Sequence, residues 1–367
     1  MSNQDVVYQP AEIDTIKHIT TNINEFKGDQ LQTYNSIIAK YPLPNQCTKI
    51  NDQIRLHTWY LLDIVITDLI NIINFATREF TTIYDNTRSS ATTTDKIINI
   101  GNNKHLNCNQ LDISKINTNI YILPLDFKKE LTRADYNLLL TPDPEKTVNP
   151  GLINSGLCTV GDIYNRNIFI YRSCEMGFVL LHELIHNYNI EYLFIDNTDY
   201  DKINTYLTNT FKIDDPISTE AGTDAIAHVL WLKYLYEYTY KLNTKVFKSN
   251  KVLGEINKLT KTRAINMIKL FIDISINKYL TPNNTNKDIV IKEKTGAFEY
   301  FVIKYCILLY IEYGNRYIFD NEPLPLNVQV DDLLPKLKNE LSRLIAEAVA
   351  PNQPKVSLPI SLNRSLI

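Results

Sequence analysis

Glycine is scarce in this 367-residue chain, with 10 copies, and methionine (3) and tryptophan (2) are rarer still. The five cysteines, Cys47, Cys108, Cys158, Cys174 and Cys306, are odd in number, scattered, and without a C-x-x-C pair. That argues against a disulfide framework and against a thiolate metal site. Cys47 or Cys108 in an open metal position of a latent form is one reading; a reduced, partly buried thiol is the other. A net charge of −3 gives no general attraction to nucleic acid or anionic membranes. Long uninterrupted apolar runs are missing as well. Asp63 and Asp68 break the stretch 59–75, and Glu299 and Lys304 break 297–311, so both read as buried amphipathic helices and no membrane span is expected. The N-terminus, Met1-Ser-Asn-Gln-Asp, lacks the basic start and apolar core of a secretory signal. A soluble protein is expected, cytoplasmic or exported by a non-classical route.

What the chain does have is an ordinary globular balance, 44% hydrophobic and 22% charged. Its length suits one large domain or two small ones. Asn, Ile, Tyr and Lys are plentiful, the codon bias of an AT-rich genome and not a functional signal. Two of its six histidines fall within His182-Glu183-Leu184-Ile185-His186, an H-E-x-x-H pentapeptide. Met176, Val179, Leu180, Leu184 and Ile185 supply a helical apolar stripe around it, and Asn187 and Asn189 mark the helix end. Residues four apart on a helix share a face, so His182 and His186 can offer two imidazoles to one metal ion. Glu183 then sits beside the ion without ligating it, placed to take a proton from attacking water. A core helix whose histidines are merely hydrogen-bonded carries the same letters.

Elsewhere the pattern divides the chain. Residues 1–50 are an extension, read as a helix near 11–40 and a Pro-containing connector, and are a possible pro-segment over the cleft. Residues 51–190 form a sheet-containing subdomain that ends in the H-E-x-x-H helix. Periodicity predicts a long helix over 52–84, on which His57 is a solitary packed or solvated residue. Short β-branched runs at 96–100, 119–125 and 167–172 predict the small sheet, with loops over 141–157. An exposed edge strand of that sheet would take an extended peptide by backbone pairing. Residues 191–350 form a helical subdomain, and 351–367 an extended tail.

The helical subdomain opens on a loop-rich acidic insert, 191–215. A preference for basic substrates and simple solvation are its two readings. Asp215-Pro216 then starts a helix. Glu220-Ala-Gly-Thr-Asp224 on that helix puts two carboxylates on one face. Glu220 would complete a two-His, one-Glu ligand set, and Asp224 would accept the spare N–H of a ligating histidine. His228, another four residues on, is either a transition-state donor lining the cleft or a core residue. The basic stretch 241–263 suits an acidic partner or a solvated face. Further helices are expected near 261–280, 288–313 and 330–349. Arg316 and Tyr317, between the last two, are candidates to stabilise an oxyanion.

His182-Glu183-x-x-His186 followed by Glu220-x-x-x-Asp224 resembles the gluzincin group of zinc metallopeptidases. The resemblance covers about 45 residues. It implies an α+β, helix-rich, zincin-like fold in which a small twisted sheet lies over an active-site helix and a glutamate helix. It implies zinc held by His182, His186 and Glu220, with Glu183 as general base and proton donor. The expected substrate is a protein or peptide. Endopeptidase action is favoured, since no G-x-M-E-N-type amine-binding pattern occurs. The 33 residues between His186 and Glu220 exceed the thermolysin-like spacing. Clostridial neurotoxin light chains share both the His-Glu-Leu-Ile-His pentapeptide and a long gap, but the gap sequence and the flanks of the glutamate differ. A virion-type structural protein keeping a non-catalytic zinc site, and a helical interaction module with an accidental motif, are the readings from other classes.

Overall fold

In the computed structural model the described residues are 7–21, 26, 29–89, 97–99, 105–107, 111–131, 154–159, 164–195, 197–211, 213, 216–235, 237–238, 258–270, 298–314, 330–350 and 360–361. They form a helix-rich α+β structure around one mixed five-stranded sheet. The strands are β1 (Gln46–Lys49), β2 (Ile54–Thr58), β3 (Asn117–Ile122), β4 (Gly156–Thr159) and β5 (Asn165–Ile170), in spatial order β1-β2-β3-β5-β4. The three central strands are parallel, and both edge strands run antiparallel to their neighbours. Central parallel strands are covered on both faces and therefore read as continuous apolar runs. Ile120-Tyr-Ile-Leu123 and Ile168-Phe-Ile-Tyr171 are such runs, and all eight residues are buried.

Pleating sends alternate side chains to two separate cores. Leu56, Ile120, Ile168 and Cys158 stand side by side in register on one face. A long helix (Asp63–Ser89) and the H-E-x-x-H helix (Met176–Tyr188) pack against that face, followed by the glutamate helix (Ser218–Leu235). Tyr121, Phe169 and Tyr171 point the other way, towards Ile16, Ile19, Phe26 and Tyr34. These come from helices Pro10–Thr21 and Asp29–Lys40 and the chain between them. Each fully buried aliphatic or aromatic side chain contributes about 1.5–3 kcal/mol. The N-terminal residues thus cover the sheet face turned away from His182 and supply its edge strand β1.

Several expectations need correction. The helix expected over 52–84 begins at Asp63 and ends at Ser89, and residues 54–58 are strand β2. Ile54 and Leu56 alternate with Arg55 and His57, a period of two that the helical spacing downstream obscured. His57 therefore lies on a strand, buried, with Nδ1 3.3 Å from the Tyr8 hydroxyl and its ring stacked on Tyr121. The single helix over 11–40 is two helices. The insert 191–215 is largely helical, as Glu191–Phe194 and Asn197–Phe211. Tyr200, Ile203, Leu207 and Phe211 form its buried stripe, masked in the sequence by Asn, Thr and Asp. The loop expected up to 157 gives way to β4 at Gly156. Among the described residues no helix is long and apolar enough to cross a membrane.

Candidate metal centre

The H-E-x-x-H helix is buried along nearly its whole length, as a helix with apolar residues on every side must be. Its C-terminal carbonyls are satisfied by two devices. Asn189 takes a left-handed conformation (φ 53°), donating its N–H to His186 O, and Ile190 N reaches back to Ile185 O. Arg166, buried on β5, donates from Nη1 to the carbonyls of His186 and Asn187 at 3.0 and 2.8 Å. A cation there also matches the negative end of the helix dipole. The start of the glutamate helix is held by its neighbours: Ile217 N donates to Glu299 and Ser218 N to Asn204 Oδ1. Gly222 lets helix Asn197–Phe211 come close, since a Cβ there would lie 2.1 Å from the Tyr200 hydroxyl.

These two helices bring His182, His186 and Glu220 together, with one donor atom from each lying within 4.8 Å of the others. His182 Nε2 is 3.2 Å from Glu220 Oε2, and His186 Nε2 is 3.3 Å from Glu220 Oε1. Zinc bonds of about 2.0–2.1 Å in tetrahedral geometry put neighbouring ligand atoms roughly 3.3 Å apart, and both histidine–Glu220 distances match that spacing. His186 Nε2 is buried and makes no well-aligned hydrogen bond to Glu220, as suits a ligand atom. Both Nδ1 atoms face carboxylates: His182 meets Asp224 Oδ1 at 3.1 Å, and His186 meets Glu191 Oε1 at 2.9 Å. A carboxylate on Nδ1 fixes the tautomer that leaves Nε2 as the ligand.

His186 and Glu220 are coupled electrostatically. Burial opposes charge on His186, but Glu220 and Glu191 outweigh it and hold its pKa well above the ordinary imidazole value. Burial likewise opposes charge on Glu220, and the two histidines prevail, holding it well below the carboxylate range.

Glu183 is 5% exposed and lies against edge strand β4. A Cβ on Gly156 would stand 3.1 Å from its Cγ, so glycine permits the strand to come this close. Cys158, two residues along the same face, has its Sγ 3.9 Å from Asn187 Oδ1. Burial, reinforced by the Glu183 charge, pushes its thiol up to about 12, which makes it a packed thiol and not a nucleophile.

The other candidates are distributed differently. His228 is buried with its ring against Phe178 and its Nδ1 donating to the Asp224 backbone carbonyl at 3.0 Å, so it stands behind the site and does not line a cleft. Burial and the charge of Lys304 bring it down to about 3, and it stays neutral. Arg316, Tyr317 and Cys108 lie outside the described residues. Three participants escaped the sequence reading. Glu191 falls in the stretch whose composition predicts an acidic loop. Tyr300 donates to Glu220 Oε2 at 2.7 Å, and Lys304 donates to Asp224 Oδ2 at 2.7 Å. Both contacts span 80 residues with no repeat or spacing to announce them.

No family model, no curated protein and no solved structure matches the chain.

Proposed function

We propose that the protein is a gluzincin-like zinc peptidase with a zincin-type arrangement of sheet and helices, acting as an endopeptidase on an extended peptide. The observation that carries this is the convergence of His182, His186 and Glu220, with one donor atom of each within 4.8 Å of the others and a second carboxylate on each Nδ1. His182, His186 and Glu220 would hold the ion. When bound, zinc polarises a carbonyl and makes water acidic enough to supply hydroxide near neutral pH.

The remaining chemistry belongs to the chain's own residues. Glu183 accepts the proton of the attacking water and passes it to the leaving nitrogen, a contribution of about 10²–10⁴-fold for a positioned base. Tyr300 donates its hydroxyl proton to Glu220 Oε2 at 2.7 Å and so holds that carboxylate in place. Strand β4 pairs with β5 on one side and ends the sheet on the other among the described residues. Its outer edge, next to Glu183, suits backbone pairing with a substrate strand.

The metal half of the proposal is tested by zinc analysis of purified protein. One zinc per chain, lost in His186→Ala, is the expected result. Metal-free protein whose stability is unchanged by chelator or zinc would make the motif an accident of a helical module.

A further inference from the structure

Lys304 is a buried cation that the proposed reaction does not use. Its side chain is 2% exposed and that of Asp224 is 0% exposed, and the two meet at 2.7 Å. The second Asp224 oxygen faces His182 Nδ1 at 3.1 Å, so one carboxylate bridges the ammonium and the imidazole. Burying this pair costs several kcal/mol per ion, and packed apolar side chains would join two helices at least as well. An economical fold has little reason to keep it for stability alone.

The local backbone explains how the cation arrives. Lys304 opens helix Lys304–Gly314 directly after a π-helical turn, Glu299–Ile303. The turn's i→i+5 bonding widens the winding and shifts the register of the residues that follow; such turns recur at functional sites. The same face of this turn carries Glu299, which accepts from Ile217 N at 3.1 Å, and Tyr300, which donates to Glu220. Three side chains from six consecutive residues thus grip the glutamate helix at its first turn, at its ligand and at its orienting carboxylate.

We propose that Lys304 is a positioning residue of the metal centre. It fixes the plane of the Asp224 carboxylate, and through it the orientation of His182, with Glu299 and Tyr300 holding the same helix in register. The inference rests on the zinc-site reading, and it assigns Lys304 no contact with substrate.

The test is a double-mutant cycle read by zinc affinity, using chelator competition on the full-length protein. Lys304→Met and Asp224→Asn should each weaken zinc binding about 10–100-fold, the range for partners that orient a ligand. The double variant should be no weaker than Asp224→Asn within threefold, because both changes act through one carboxylate. It removes both buried charges together, so it remains measurable where Lys304→Met alone fails to fold. Lys304→Met binding zinc like wild type overturns the proposal, as does a double variant more than threefold weaker than Asp224→Asn. A wild-type protein that binds no zinc defeats the metal reading itself, an outcome distinct from both.

Discussion

The two histidines are oriented by different kinds of structure. His182 leans on Asp224, a fully buried carboxylate from another helix, which Lys304 backs in turn. His186 leans on Glu191, five residues further along its own chain, where the left-handed Asn189 turns the backbone past the helix end. The His186 side chain is 18% exposed and that of His182 1%. Both supporting carboxylates are buried, but one comes from another helix with a lysine behind it and the other is local. Loss of Asp224 would leave the Lys304 charge buried beside it, so the two arms should fail differently.

The largest effect falls on what both arms serve. His186→Ala or His182→Ala removes a ligand outright, and zinc analysis should return less than a tenth of the wild-type content for either. Asp224→Ala comes next, because it strands the Lys304 charge in the interior. A loss of about 3–5 kcal/mol in denaturant unfolding is expected, together with weaker zinc binding. Glu191→Gln leaves an acceptor near His186 Nδ1 and keeps a hydrogen-bonding side chain of the same size. Zinc affinity should fall about tenfold with little change in unfolding midpoint. Equal stability losses for Asp224→Ala and Glu191→Gln would erase the distinction between the arms. Asn189→Val puts a β-branched residue at positive φ and should cost about 1–2 kcal/mol while leaving the His182 arm intact.

A last effect, seen only on acidification, lies away from the metal. Burial holds His57 neutral down to about pH 4, whereas an unfolded imidazole protonates near 6.5. The unfolded state therefore binds more protons between those values. Stability from this group is complete above pH 6.5 and declines as pH falls towards 4, by up to about 1.4 kcal/mol per unit. Urea unfolding of His57→Gln across that window should show a shallower pH slope than wild type. An identical slope would remove His57 from the account.

The same contrast marks what could be read from the sequence. Asp224 was legible because it shares a helical face with Glu220, and the i, i+4 rule needs only the letters. Glu191 was not, since five residues across a left-handed cap match no repeat, and its acidic neighbours suggested a solvated loop. The H-E-x-x-H helix and its asparagine end were legible from periodicity and cap chemistry, as was the α+β, helix-rich class. Strands β2 and β4 were not: β2 adjoins a long helical pattern, and β4 spans four residues beside Pro- and Gly-marked loops. Tyr300 and Lys304 reach the site only through packing of a distant π-helical turn, which no local pattern encodes.

The most direct test of the central claim is cleavage of a mixed peptide library by zinc-loaded wild type and Glu183→Gln, read by mass spectrometry. Glu183 touches no ligand role in this account, so the variant should keep its zinc and fold while losing turnover at least a hundredfold. Internal cuts made by wild type alone are the predicted result. Equal cutting by both proteins, or no cutting by zinc-loaded wild type, would contradict it and leave a zinc site without catalysis.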